Sequence, residues 1–160
     1  MPQVNTPATG HVGPVPLPGG HQYLAYTDAH FLATVRRAVH IIQSRVRGSV
    51  PCDHAFSLLP GGKTFSQVWA DPDVWINFDP ARRSGDYGAT RVKEITVTAY
   101  SLAMGSWTVA ATLIHEMAHV NGASGHTHDA EATLKSCLLK SLENPGIIGQ
   151  IIRASRFRVA

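Results

Sequence analysis

The stretch TLIHEMAHVNGASGHTHDAEATLKSC, residues 112–137, gathers four of the chain's nine histidines and three of its eleven carboxylates. Within it, His115-Glu116-Met117-Ala118-His119 has the spacing H-E-x-x-H. Residues four apart on an α-helix are turned by only about 40° and lie about 6 Å apart along the axis, so both imidazoles can close on one ion at about 2.0–2.1 Å. Glu116 sits one step round the helix, where its carboxylate can take a proton from a water activated by that ion and pass it to a leaving amine. The pattern therefore points to zinc-dependent hydrolysis, with His115 and His119 as metal ligands and Glu116 as the catalytic carboxylate. A helix that merely carries two surface histidines leaves the glutamate between them unexplained, on a face flanked by Leu113, Ile114 and Val120 where unpartnered ionisable groups are costly.

A third ligand is expected downstream, where His126, His128, Asp129 and Glu131 compete. At about 100° per residue, Ala130, Leu134, Cys137, Leu138 and Leu142 mark the buried side of a second helix. Glu131 falls near the middle of that side and Asp129 nearly opposite. A carboxylate on an inward face needs a cationic partner, either a zinc ion held by the preceding helix or a lysine or arginine, and the first option makes Glu131 the third metal residue. Asp129 reads better as a cap favourable to the helix dipole, and His126 and His128 as side chains that bond a ligand from behind or face water.

These residues need elements to position them. Ser106 can cap a helix running through Thr108 to Asn121, with Gly122 taking the left-handed position after it. The second helix should start near Thr127 or Asp129 and run to about Leu142, and Asn144-Pro145 can open a last short helix carrying Ile147, Ile148, Ile151 and Ile152. Upstream, Asp28 caps an amphipathic run of Phe31, Leu32, Val35, Val39, Ile42 and Val46 that stops at Gly48. His30 and His40 ride on it as surface or core histidines. The segment PCDHAFSLLPGG, residues 51–62, allows a short helical turn. DVWINF, residues 73–78, and EITVTAY, residues 94–100, alternate as strands do, with a loop between them. The strand around Ile95 to Tyr100 is the expected exposed edge, because it directly precedes the active-site helix.

At 160 residues and 44% hydrophobic, the chain suits one α+β domain with a real core. Residues 1–20 hold five of the ten prolines and four of the 14 glycines without an apolar period, which reads as a linker or tail ahead of a domain over residues 21–160. The net charge of +3 is spread along the chain, so nucleic acid is not an expected partner. No apolar run approaches the roughly 18 residues of a membrane span, and no classical signal peptide opens the chain. Cys52 and Cys137 fit either one bridge or two buried thiols.

The HEMAH run resembles the zincin metallopeptidases, whose shared core is a twisted sheet with the H-E-x-x-H helix beneath its edge strand. Metzincins carry a third histidine where this chain has Gly125. Aspzincins place an aspartate near the position of Asp129, and gluzincins use a glutamate on a following helix at a longer separation than Glu131 offers. IHEMAHVNGASG followed by AEATLKSC is most similar to the C-terminal metallopeptidase toxin domains fused to bacterial type VI secretion spike proteins. That resemblance implies a zincin-like domain with Zn2+ on His115, His119 and Glu131 and with Glu116 as catalytic carboxylate. It implies a peptide or protein substrate, a delivering spike protein, an immunity protein as partner, and secretion or delivery into a target cell, with the periplasm as a place of action.

Two other classes are compatible with the residues. A zinc hydrolase acting on peptidoglycan or RNA would use the same ligands, and Arg82, Arg83 and Arg91 around its pocket would favour a phosphate-bearing substrate. A non-catalytic module stabilised by zinc would show four protein ligands and no open position.

Overall fold

Asp28 accepts a hydrogen bond from the Phe31 amide at 2.8 Å and so starts the helix α1, Ala29–Arg45. Its apolar stripe buries Val35, Ala38 and Ile42, while His30 and His40 are exposed. In this computed structural model the described residues are 1–13 and 20–138. Among them the protein is an α+β domain with a four-stranded mixed sheet. The expected last helix around residues 144–152 lies outside the described residues.

Two short helices follow α1: α2, Val50–Ser57, and α3, Phe65–Ala70. The second was not anticipated. Its signal was Thr64 and Gln67, which form a reciprocal capping box over a single run of apolar residues, Phe65, Val68 and Trp69.

The sheet contains β1, Gln3–Val4; β2, Trp75–Asp79; β3, Gly88–Arg91; and β4, Glu94–Thr98, in the spatial order β1-β2-β4-β3. β2 runs parallel to β1 and to β4, and β3 is antiparallel to β4. Two expectations change here. The strand beginning at Glu94 is interior, and the edge near the histidine helix is β3, whose residues had been assigned to a loop. β3 is only four residues long and carries a glycine, so it shows too little alternation to be read as a strand.

The start of the segment expected as a tail is also built into the sheet, since Gln3 pairs with Trp75 and Val4 with Ile76. Asn5 is fully buried and donates to Asn77 Oδ1 at 2.8 Å. His11 stacks on Trp75 and meets Glu94 at 3.0 Å. Proline-rich composition hid a two-residue edge strand, where proline is tolerated.

After β4 the chain turns directly into α4, Ala99–Ala103, with the Thr98 side chain capping it. A strand through Tyr100 is therefore corrected to one ending at Thr98. Then come α5, Ser106–Val120, and α6, Asp129–Leu138. Gly105 rather than Ser106 precedes α5, at a φ of 101° that disfavours other residues. Gly122 adopts the left-handed φ of 87° expected after the helix.

α5 packs against β3 and β4 on one side and against α1 and α6 on the other. Its middle, Val109 to Ala118, is buried throughout. The end of α5 is sealed by Asn121, whose side-chain amide donates to the carbonyls of Phe56 and Lys63, each at 2.8 Å. Gly61 makes that seal possible, because a Cβ there would stand 2.4 Å from Asn121 Oδ1. Cys52 and Cys137 are disulfide-bonded, tying α2 to α6 across 85 residues of sequence. No helix among the described residues is long and apolar enough to cross a membrane.

Candidate metal centre

One helical turn separates His115 and His119 on α5, and their Nε2 atoms lie 3.1 Å apart. Two ligands of a tetrahedral ion at about 2.0–2.1 Å would be about 3.3 Å from each other, so the two nitrogens are set for one shared ion. The His119 Nδ1–H donates to the carbonyl of Ala123 at 2.9 Å, which leaves the Nε2 lone pair aimed at His115. Burial, with a smaller contribution from His119, pushes the His115 imidazole down to about 3 and keeps it neutral. A neutral imidazole is the form that binds a metal.

Glu116 is 3% exposed and lies beneath β3. The Thr90 hydroxyl donates to Glu116 Oε2 at 2.7 Å. Burial raises the Glu116 pKa above the ordinary carboxylate range, against the opposing pull of His119, the Thr90 hydrogen bond and His21. A carboxylate tuned upward in this way is a better acceptor for a proton near neutral pH.

Gly88 sets the distance between β3 and α5. A Cβ there would stand 2.6 Å from the Thr96 carbonyl oxygen, 2.9 Å from Thr112 Cγ2 and 3.4 Å from Glu116 Oε1. Glycine lets the strand lie directly on the helix, and Thr90, two residues along on the same face, then reaches Glu116.

Glu131 is in the first turn of α6, half-buried, with its Oε2 shielded from solvent and without a hydrogen-bond partner among the described residues. Among the described residues the cation-forming group near it is His128 Nδ1, at 4.0 Å. A buried carboxylate oxygen without a donor is the kind of group a bound cation satisfies. Yet among the described residues no three His, Cys, Asp or Glu side chains converge closely enough to hold one ion together. The structure thus joins His115 and His119 and does not bring Glu131, on the adjoining helix, into one cluster with them.

His126, His128 and Asp129 are exposed. Asp129 is the first residue of α6 and accepts from the Thr127 hydroxyl at 2.6 Å. Two imidazole nitrogens 3.1 Å apart fit zinc by donor type.

No family model, curated protein or solved structure matches this chain.

The histidines open into a cleft of about 1190 Å³. Its walls include Gly88, Ala89 and Thr90 of β3, the α5 residues His115, Glu116 and His119, and His21. The main-chain bond from the Thr98 amide to the Tyr87 carbonyl fixes the antiparallel alternation. It follows that the N–H and C=O groups of Gly88 and Thr90 point away from β4, toward the open edge. Arg83 borders this cleft, Arg82 lines a smaller recess beside it, and Arg91 is exposed.

Sequence reading missed Thr90, Gly88 and His21. None stands in a motif, and each meets Glu116 or its cleft only because strands distant in sequence are stacked on α5. Tyr87 is buried and borders the cleft with its ring against Tyr100.

Proposed function

We propose that the chain is a zinc-dependent metallopeptidase of the zincin kind. The observation that carries this reading is the pair of Nε2 atoms 3.1 Å apart beside a buried glutamate, at the floor of a cleft bordered by an edge strand. His115 and His119 would hold the ion, and Glu131, on the neighbouring helix with a shielded carboxylate oxygen, is the residue proposed to complete the set. Zinc bound there would act as a Lewis acid that makes water more acidic and a carbonyl more electrophilic.

The chain's own residues supply the rest. Glu116 accepts the proton of the attacking water, held in place by Thr90, and returns it to the amine as the C–N bond breaks. The outward amide and carbonyl groups of Gly88 and Thr90 pair with an extended peptide by β-augmentation and lay its backbone across Glu116. The edge strand favours a peptide over a phosphate-bearing substrate, since of the three arginines considered only Arg83 borders the main cleft. Delivery by a secretion spike protein, an immunity partner and action in the periplasm of a target cell rest on sequence resemblance alone.

The deciding experiment measures zinc by mass spectrometry and hydrolysis of unfolded casein by the purified protein. Glu116→Ala is expected to keep the zinc and lose hydrolysis. Full activity in that variant would remove Glu116 from the mechanism, and a wild type that binds no zinc would end the proposal.

A further inference from the structure

The cleft that Glu116 lines is also bordered by His21, whose Nδ1 lies 2.6 Å from Asp79 Oδ2. Asp79 is 1% exposed and closes β2, and its other oxygen accepts from the Ala81 amide at 2.9 Å. The backbone just beyond His21 is clamped to the same strand, because Leu24 and Phe78 exchange both main-chain hydrogen bonds, at 2.9 and 2.8 Å. The imidazole is therefore mounted on the sheet rather than on a loose lead-in. Its Nε2 stands 3.8 Å from Asp86 Oδ1, beyond hydrogen-bonding distance.

We propose that His21, oriented by Asp79, is a second catalytic residue, whose Nε2–H donates a hydrogen bond to the substrate's carbonyl oxygen as negative charge builds on it. The proposal rests on the metallopeptidase reading. The water oxygen forms the new C–O bond, its proton goes to Glu116, and the carbonyl π pair moves onto the oxygen that faces His21. When the carbonyl reforms, the C–N bond breaks and the amine leaves with the proton from Glu116.

The surroundings favour the doubly protonated ring that this role needs. The hydrogen bond to Asp79 raises the His21 pKa, opposed by burial and supported by the charges of Asp86, Asp79 and Glu116. Arg82 and Arg83 line the recess behind it and are the opposing charges there. A histidine serving only to latch the N-terminal segment would need Asp79 but no face on the cleft.

The test compares wild type with His21→Gln, His21→Ala and Asp79→Asn, using unfolded casein as substrate. Zinc content should stay at the wild-type level in all three. A drop in kcat of about 100- to 1000-fold with little change in KM is expected for the His21 variants. Asp79→Asn should lower kcat as well, and in the zinc-free protein it should abolish the downfield Nδ1 proton of His21 in the NMR spectrum. If His21→Gln binds zinc and keeps kcat within about threefold of wild type, the proposal falls while the peptidase reading stands. It falls too if no Nδ1 proton sensitive to Asp79→Asn is found. A wild type that hydrolyses nothing overturns both.

Discussion

Thr90 donates its hydroxyl to Glu116 Oε2 over 2.7 Å, so a strand residue and a helix residue 26 positions apart share one proton-handling unit. Thr90→Val removes the donor while keeping the shape. A hydrogen bond to a charged group is worth about 1.5–3 kcal/mol, so kcat should fall about 10- to 100-fold with zinc content unchanged. Because that bond lowers the Glu116 pKa, the acid limb of the rate profile should also move to higher pH. Thr90→Ser should restore both, and a Thr90→Val enzyme with wild-type kcat and profile would show that the bond is incidental.

Metal stoichiometry tests the ligand set. His115→Ala and His119→Ala should each abolish zinc binding measured by mass spectrometry after dialysis. Three carboxylates follow His119 in the chain: Asp129, Glu131 and Glu143. Glu131→Ala is expected to weaken zinc binding about 100-fold or more, the loss of one of three protein ligands, whereas Asp129→Ala should not change it. Retention of zinc by Glu131→Ala would transfer the role to Asp129, to His126 or His128, or to Glu143, which lies outside the described residues, and the single variants of these are then the next to measure.

The bridge between Cys52 and Cys137 closes a long loop. In the chain-entropy treatment a loop of this length contributes about 4.5 kcal/mol. Cys52→Ser with Cys137→Ser, or reduction of the native protein, should lower the urea midpoint by an amount equivalent to about 2–5 kcal/mol. Urea titration with and without reductant reads this directly. A midpoint that does not move would mean that the helices α2 and α6 hold each other without the bridge.

His21 should give the fold a pH dependence. Its pKa in the folded protein lies above the ordinary value of 6.5, chiefly through the hydrogen bond to Asp79. The native state therefore holds the proton more tightly than the unfolded chain does. The resulting stabilisation is fully present below 6.5 and is lost as pH rises through the folded pKa. Urea midpoints of wild type and His21→Gln should accordingly draw together on going from about pH 6 to pH 9. A difference that is constant across that range would assign the His21 contribution to packing instead.

Val92 forms the tip of the β3–β4 hairpin at a φ of 58°, in the left-handed region, and is 80% exposed. A β-branched residue there is strained by roughly 1–2 kcal/mol, and asparagine accepts the conformation more readily. Val92→Asn is expected to raise the thermal midpoint by a few degrees, as measured by circular dichroism. A lower midpoint would mean that Val92 packing outweighs its backbone strain.

The H-E-x-x-H helix was legible from the chain alone because its information is local. The four-residue spacing of His115 and His119 places both imidazoles on one helix face whatever surrounds them, which is what brings their Nε2 atoms to 3.1 Å. The same holds for α1, with Asp28 at its start, and for the buried face of α6, where Ala130, Leu134, Cys137 and Leu138 are all inside. Periodicity within one element is written in consecutive residues. What surrounds α5 is not written that way. Gly88 and Thr90 sit in a strand too short to show alternation, Asp79 meets His21 across 58 residues, and Gln3 and Val4 complete a sheet from within a proline-rich lead-in. Those contacts depend on which strands pair and how closely a strand can lie on a helix. Only the packed chain decides that, through the backbone approach that Gly88 permits and the buried hydrogen bonds that Asn5, Asn77 and Asp79 require.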